Sequence, residues 1–270
     1  MPDFKIFIKG VILGISNVIP GVSAGTLAVI MGIYDKLLQA IAYIFKDFKK
    51  NFRFLFFIGL GIGCGILFFS YILEKVIEIY PWQVNYLFMG LIAGSFGVLY
   101  KTAKSYNPKK SHFIYFIITL LILVILKFIN PDPVVKIIVD VNLKNIVTLF
   151  VGGFVASCAL ILPGISGAFI LILLGLYNSI ISAVSNFNIL ILIPFVFGVL
   201  AGLIVMSNFI QYLLKKYQPQ SYVAILGFVV GSVISIFPGF KFSLLGLSCV
   251  VIFIIGYFIS LYIFKSNEKK

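Results

Sequence analysis

Between positions 145 and 214 the chain carries no Asp, Glu, Lys or Arg. Five further runs are equally free of charge: 10–34, 54–73, 83–100, 217–240 and 242–264. A helix needs about 20 such residues to cross the hydrocarbon layer of a bilayer. Inside that layer every backbone N–H and C=O must find its partner within the protein, which leaves helices and closed barrels as spanning structures. A transmembrane barrel alternates polar and apolar positions, and these runs do not. With 61% of 270 residues hydrophobic and 11% charged, the chain holds more apolar surface than a soluble domain of this size can bury. The fold class that follows is an all-α polytopic membrane protein.

The net charge of +13 does not point to nucleic acid, and no nucleic-acid partner is expected. The basic residues stand in short loops between apolar runs, as the positive-inside rule requires. Cys64, Cys158 and Cys249 lie in apolar stretches and read as packing residues. The N-terminal run follows Lys5 and Lys9 but lacks a small-x-small cleavage site and has a second copy downstream, so it reads as mature structure.

That second copy is the main internal signal. Pro20-Gly21-Val22-Ser23-Ala24-Gly25 matches Pro163-Gly164-Ile165-Ser166-Gly167-Ala168, and the same spacing pairs Gly10 with Gly153, Gly32 with Gly175 and Tyr34 with Tyr177. With six residues fewer between the copies, Gly61 pairs with Gly198, Gly65 with Gly202, Ser70 with Ser207, Gly90 with Gly227 and Gly94-Ser95 with Gly231-Ser232. The change falls in the basic loop expected after Tyr34. The halves are therefore 1–140 and 141–270, together one membrane domain. The first holds a Pro-Gly segment at about 6–34 and helices at about 54–77, 84–100 and 112–130. The second holds a segment at about 146–177 and helices at about 189–213, 222–237 and 242–264.

Charge placement sets the orientation. The loops with Lys36 to Arg53, Lys101 to Lys110 and Lys215-Lys216, together with both termini, hold sixteen of the 21 basic residues and should face the cytoplasm. Segment 10–34 is then flanked by cytoplasmic stretches on both sides. Its arms around Pro20 are only about 12–14 residues, short for a crossing each. The economical reading is a re-entrant hairpin turning near Pro20-Gly21. Three crossings later, the second hairpin enters from the opposite face, which makes an inverted repeat of six spanning helices and two hairpins. The competing reading, two ordinary spanning helices kinked at Pro20 and Pro163, would place the N-terminus outside or break the charge pattern elsewhere.

A helix that begins at Pro-Gly exposes unpaired N–H groups and the positive end of its macrodipole. Ser23, Gly25 and Thr26 follow the first break, and Ser166 and Gly167 the second. Hydroxyls and bare backbone of this kind suit an anion such as phosphate or carboxylate. Asn17 and Ser16 lie one turn earlier, with Leu160 and Ala159 as their counterparts. The candidate binding residues are thus Asn17, Pro20, Gly21, Ser23, Gly25, Thr26, Pro163, Gly164, Ser166 and Gly167. Single serines in membrane helices also serve close packing, as do Gly61, Gly65, Gly90, Gly94, Gly227 and Gly231 at small-x-x-x-small spacing.

The expected membrane interior contains no Asp, Glu or Arg. His112 is the sole histidine and stands at an interface, and Glu74 and Glu78 at the other. Neither a general base nor a paired carboxylate is placed for hydrolysis. An enzyme is disfavoured, and no cofactor is expected. Whether the anion is a small soluble one or a lipid head group stays open at this level, as do a coupling ion and the oligomeric state.

Lys9-Gly10, Gly14, Asn17, Ile19-Pro20-Gly21-Val22-Ser23, Gly25-Thr26-Leu27-Ala28 and Gly32-Ile33-Tyr34 resemble the opening signature of the PopT family of polyprenyl-phosphate transporters, with Ala24 where Gly is expected. Leu162-Pro163-Gly164-Ile165-Ser166-Gly167-Ala168 with Gly175-Leu176-Tyr177 is similar to that family's second signature. The resemblance implies a flippase in the bacterial or archaeal cytoplasmic membrane. It would return undecaprenyl phosphate from the outer to the inner leaflet for reuse in peptidoglycan and other envelope synthesis. A fainter likeness is to the membrane undecaprenyl-diphosphate phosphatase, but Ala24 and Gly167 occupy the positions where that family carries Arg, and its Glu and His are missing. That likeness implies a shared scaffold without the hydrolytic groups. A lipid-diphosphate phosphatase and a small-anion permease are the alternatives carried forward.

Overall fold

A computed structural model describes residues 3–18, 23–129, 138, 140 and 142–268. Among these residues there are twelve α-helices and one 3-10 turn, and no strand. The first six helices are α1 (Asp3–Val18), α2 (Ala24–Ile30), α3 (Tyr34–Ala42), α4 (Phe48–Ile79), α5 (Pro81–Ser105) and α6 (Phe113–Phe128). The second six are α7 (Leu143–Ile161), α8 (Gly167–Leu173), α9 (Tyr177–Ser185), α10 (Ile189–Lys216), α11 (Gln218–Ile236) and α12 (Leu244–Glu268). The short elements repeat residue for residue: α2 and α8 have 7 residues each, α3 and α9 have 9.

Among the described residues seven helices are long and apolar enough to cross a membrane, and the pairs α2–α3 and α8–α9 are each bent, by 117° and 115°. The protein is a multi-pass membrane protein. The seven include α7 with 19 residues, which the expected count of six spanning helices leaves in a hairpin. Helix α1 extends back to Asp3, because Arg53 Nε and Nη2 bond the Asp3 carboxylate and tie the helix start to α4. Residues 34–42, expected as loop, form α3. Its Tyr34, Leu38 and Ala40 are buried, so an apolar face turns this basic stretch into an interfacial helix. The spanning helices overrun the apolar runs in the same way, α4 reaching 32 residues.

Both bends are built alike. The N–H of Gly32 bonds Val29 O and that of Ile33 bonds Ala28 O; Gly175 and Leu176 repeat this with Ile172 O and Leu171 O. This is a Schellman closure, which needs a residue in the left-handed region. Gly32 and Gly175 supply it with φ of 62° and 68°.

Glycines decide how the long helices pair. A Cβ on Gly10 or Gly14 would stand closer than 3.0 Å to the carbonyls of Ile58 and Ile62, and one on Gly61 or Gly65 equally close to those of Phe7 and Val11. Both sets rise together, so α1 and α4 run parallel. The same reading makes α7 parallel to α10 (Gly153 on Phe195, Gly198 on Phe150, Gly202 on Phe154) and α5 parallel to α12 (Gly90 on Phe253, Gly94 on Tyr257). It also makes α6 parallel to α11, with Gly227 on Phe116 and Gly231 on Leu123. Lipid provides no hydrophobic drive between helices, so this backbone-to-backbone approach carries the association.

Two consequences position the site. Because α1 and α4 start at one face, the chain between them returns to the face it left. The same applies between α7 and α10. And the last two pairs cross the halves, so α12 packs on the first half and α6 on the second. The main buried cluster gathers around α2, with Ala28, Val29, Leu38, Ile92 and Val229 among its members.

Substituting Gly10 by Leu should force α1 off α4. Overpacking of this kind costs about 1–3 kcal/mol, seen as a lower thermal midpoint in detergent. Gly63, which has open space where its Cβ would be, should accept Leu with little change.

Candidate functional site

Helices α2 and α8 start alike. Ser23 and Ser166 are the N-caps of α2 and α8, with φ, ψ of −92°, 128° and −95°, 127°, and neither side chain caps its own helix. The first intrahelical bonds are Leu27 N to Ser23 O and Ile170 N to Ser166 O, both 3.2 Å. The preceding N–H groups in each first turn therefore have no partner within the helix. Extended backbone ahead of a short apolar helix is what Pro-Gly-x-Ser encodes, since proline and the residue before it disfavour helix.

The surroundings of the two breaks differ. Ser23 is buried at 2% exposure and Thr26 at 1%. Gly25 is buried too, while Ser166 and Gly167 are half-buried. Pro163 is fully buried. Gly164, with φ of 84°, sits against Phe228 O, Leu123 and Ser232 of α11 and α6. Pro20 and Gly21 lie outside the described residues, as does the side chain of Asn17 in the last turn of α1. Ser16, fully buried, donates to Leu13 O in its own helix.

The first break meets the end of α7. Tyr34 OH donates to Ile161 O at 3.1 Å, and Ser23 Oγ reaches Leu162 O at 3.5 Å. A Cβ on Gly25 would lie 3.1–3.3 Å from the carbonyls of Leu160, Ile161 and Leu162. These are carbonyls of a helix end, which lack intrahelical donors. The start of α2 thus closes the end of α7, positive dipole end on negative. Ser23 and Gly25 come together there, while Ser166 and Gly167 begin α8 after the second break. Thr26 Oγ1 is buried with no hydrogen-bond partner among the described residues.

An apolar cavity of about 470 Å³ begins at this junction, against Ala24, Gly25, Leu160 and Ile161. It runs between α3, α4 and α10 past Leu37, Leu55 and Leu203. Its outer margin includes Leu200 and Phe45, which are 50% and 82% exposed. A second, polar cavity of about 1000 Å³ lies at the face where α1 and α4 begin. Lys36, Lys49, Lys50 and Arg53 line it, with Asp3, Asp35 and Asp47.

Several residues at the site escape sequence reasoning. Lys9 Nζ donates to Met31 O at 2.8 Å, completing the C-terminal end of α2. Tyr222 OH bonds Asp35 Oδ2 and Gln211 Nε2 bonds Asp35 O, both at 3.2 Å, which ties α3 to the second half. Tyr106 stacks on Tyr222 with ring centroids 4.8 Å apart. Tyr34 carried a signal, the repeated Gly-x-Tyr; Asp35, Gln211 and Tyr222 carried none, because their partners lie in the other half.

Removing the Tyr34 hydroxyl should strand the Ile161 carbonyl in an apolar site. An unmade buried bond costs about 1–3 kcal/mol. Tyr34→Phe should therefore lower the thermal midpoint measurably, and Tyr177→Phe, at a position 37% exposed, should not.

A family model described as undecaprenyl phosphate translocase-like matches residues 13–245. The polyprenyl-phosphate transporter of Staphylococcus aureus is 35% identical over 270 residues, covering 94% of this chain and 93% of the relative. The polyprenyl-phosphate transporter of Vibrio cholerae is 30% identical over 249 residues, covering 86% and 77%. No solved structure gives a significant match.

Proposed function

The chain belongs to the undecaprenyl phosphate translocase-like family, and we propose that it carries undecaprenyl phosphate or a similar polyprenyl phosphate from the outer to the inner leaflet of the cytoplasmic membrane. The phosphate is held where the two helix breaks meet, by Ser23, Thr26 and Ser166 with the backbone at Gly25 and Gly167. Asn17, Pro20, Gly21, Pro163 and Gly164 belong to the same proposed site.

One observation carries this reading: the cavity of about 470 Å³ that starts at Ala24, Gly25, Leu160 and Ile161 is walled by aliphatic side chains and reaches lipid-facing residues. A small soluble anion has no use for such a wall, whereas an isoprenoid tail attached to a phosphate needs one. The Thr26 hydroxyl, buried and without a partner among the described residues one position beyond Gly25, supports a polar ligand near this junction, since buried polar groups are otherwise satisfied. The hydroxyls act as donors, with no base beside them among the described residues, and the protein works as a transporter, as the names of its relatives also suggest.

The topology that supports the cycle is an inverted repeat, halves 1–140 and 141–270, with α1–α3 and α7–α9 re-entrant from opposite faces. Helices α4, α5, α6, α10, α11 and α12 span. The parallel pairing of α1 with α4 and of α7 with α10 supports it. So does the basic cavity at the face where α1 and α4 start, which the positive-inside rule makes cytoplasmic. Both termini are then cytoplasmic.

Reconstituted liposomes with labelled polyprenyl phosphate test the site. A hydrogen bond to a charged group is worth about 1.5–3 kcal/mol, so Thr26→Val should slow translocation about tenfold or more. It should leave the thermal midpoint unchanged, because no bond within the protein is lost. The pair Ser23→Ala with Ser166→Ala should slow it further. Unchanged translocation in both variants would show that the phosphate binds elsewhere. Uptake of free phosphate without lipid movement would assign the protein to the permeases.

A further inference from the structure

A third cavity, of about 580 Å³, lies away from the helix breaks. Its lining shares no residue with the cavity at the junction of α2 and α7. It occupies the V between the end of α5 and the start of α6. Tyr100 and Phe113 form its walls and are 51% and 56% exposed. Val223 and Leu226 of α11 form its floor and are buried. Both walls pack on α11 and hardly on each other, so the V stays open to the side.

Three lysines stand at its mouth: Lys104 on the last turn of α5, then Lys109 and Lys110 before α6. The chain has no acidic residue between Glu78 and Asp132, and α11 has no charged residue at all. Among the described residues no salt bridge involves these lysines. Lys109 and Lys110 also lie at the N-terminal end of α6, where the macrodipole adds to their charge instead of offsetting it. The related position in the other half behaves differently. Lys241, the counterpart of Lys104, lies over the Trp82 ring at 4.7 Å, and the counterparts of Lys109 and Lys110 are Gly246 and Leu247. The lysine mouth is therefore not a requirement of the helix packing, which the two halves share.

We propose that this groove is a site for an anionic phospholipid of the surrounding bilayer, whose acyl chains fill the V while its phosphate meets Lys104, Lys109 and Lys110. Topology alone asks for lysines on this face, but not for an apolar groove ending at them. Basic pockets between transmembrane helices bind anionic head groups in this way. The occupant is a bulk lipid and not the transported one, because the groove has no connection to the tip residues and opens directly to the bilayer. The site is independent of the transport reading and needs only that the helices span.

Native mass spectrometry of the full chain, titrated in neutral detergent with phosphatidylglycerol or phosphatidylcholine, tests the proposal. Each lysine near the surface contributes about 1 kcal/mol to anionic lipid binding, so the wild type should prefer phosphatidylglycerol at least about tenfold. The triple variant K104Q, K109Q, K110Q should bring that preference to near unity. The triple Arg variant should keep it, and K49Q with K50Q, which removes two basic charges elsewhere, should not alter it. The proposal fails if the wild type shows no preference, or if the Gln variant retains it. It also fails if equimolar polyprenyl phosphate displaces phosphatidylglycerol from the wild type but not from the Gln variant, which would give the groove to the substrate. Because the three lysines are exposed, the Gln variant should fold, and an unchanged thermal midpoint confirms that before the titration is read.

Discussion

The approach of glycine backbone to helix carbonyls governs this fold. Four pairs of helices depend on it, and in each the glycine spacing sets both the depth of contact and the direction of the partner. In water such pairs could rely on burial of apolar area, but in a bilayer the lipid competes equally for every leucine. Close contact is what remains, and only glycine allows it at these distances. The parallel sense of α1 with α4 then leaves the chain no choice but to come back. That return is why the apolar stretch after Val18 cannot be one straight span, and why Gly32 and Gly175 are needed to close α2 and α8 within a few residues.

Breaking a helix inside hydrocarbon leaves carbonyls and N–H groups whose desolvation costs several kcal/mol each. The protein meets that cost with side chains from other elements, at the end of α7 from the other half and at the end of α2 from α1 of the same half. The end of α7 is completed by Tyr34 and Ser23 of the first half, and the end of α2 by Lys9. The crossing of α6 and α12 to the opposite half serves the same end, because it holds α11 and α5 around the two breaks.

Charge-free runs and the doubled Pro-Gly-x-Ser were sufficient to read an all-helical membrane protein and to place the breaks, because both are properties of local sequence. The 7-residue and 9-residue helices after each break were not legible as such. Residues 34–42 carry lysine and aspartate, and their amphipathic character shows only once α10 supplies the apolar surface that buries Leu38. The same holds at the site. Ser23, Thr26 and Ser166 could be singled out from hydroxyls beside a break, while Asp35, Gln211 and Tyr222 could not, since what makes them notable is contact between residues 176 and 187 positions apart. Glycines marked as packing residues proved to be backbone contacts, but whether their pairs were parallel or antiparallel is a tertiary fact.

The N-caps of α2 and α8 have the same backbone angles, and the two helices have unequal surroundings. All of α2 from Gly25 to Ile30 is buried, while in α8 only Leu171 is; Tyr34 is 6% exposed and Tyr177 37%. Inverted repeats transport by exchanging such environments between their halves. In the proposed cycle the hydroxyls of Tyr34 and Ser23 now donate to Ile161 and Leu162, the acceptors a phosphate oxygen would replace. A substrate that takes those donors competes directly with the end of α7 for the start of α2. Binding and separation of the halves are then one equilibrium, because the ligand has differential contact with the parted and the closed states. The charge on the phosphate makes its bonds stronger than those to neutral carbonyls. On that argument an empty protein rests with α2 closed on α7, and only a ligand that offers both a phosphate for the donors and a tail for the adjoining apolar wall moves it from there.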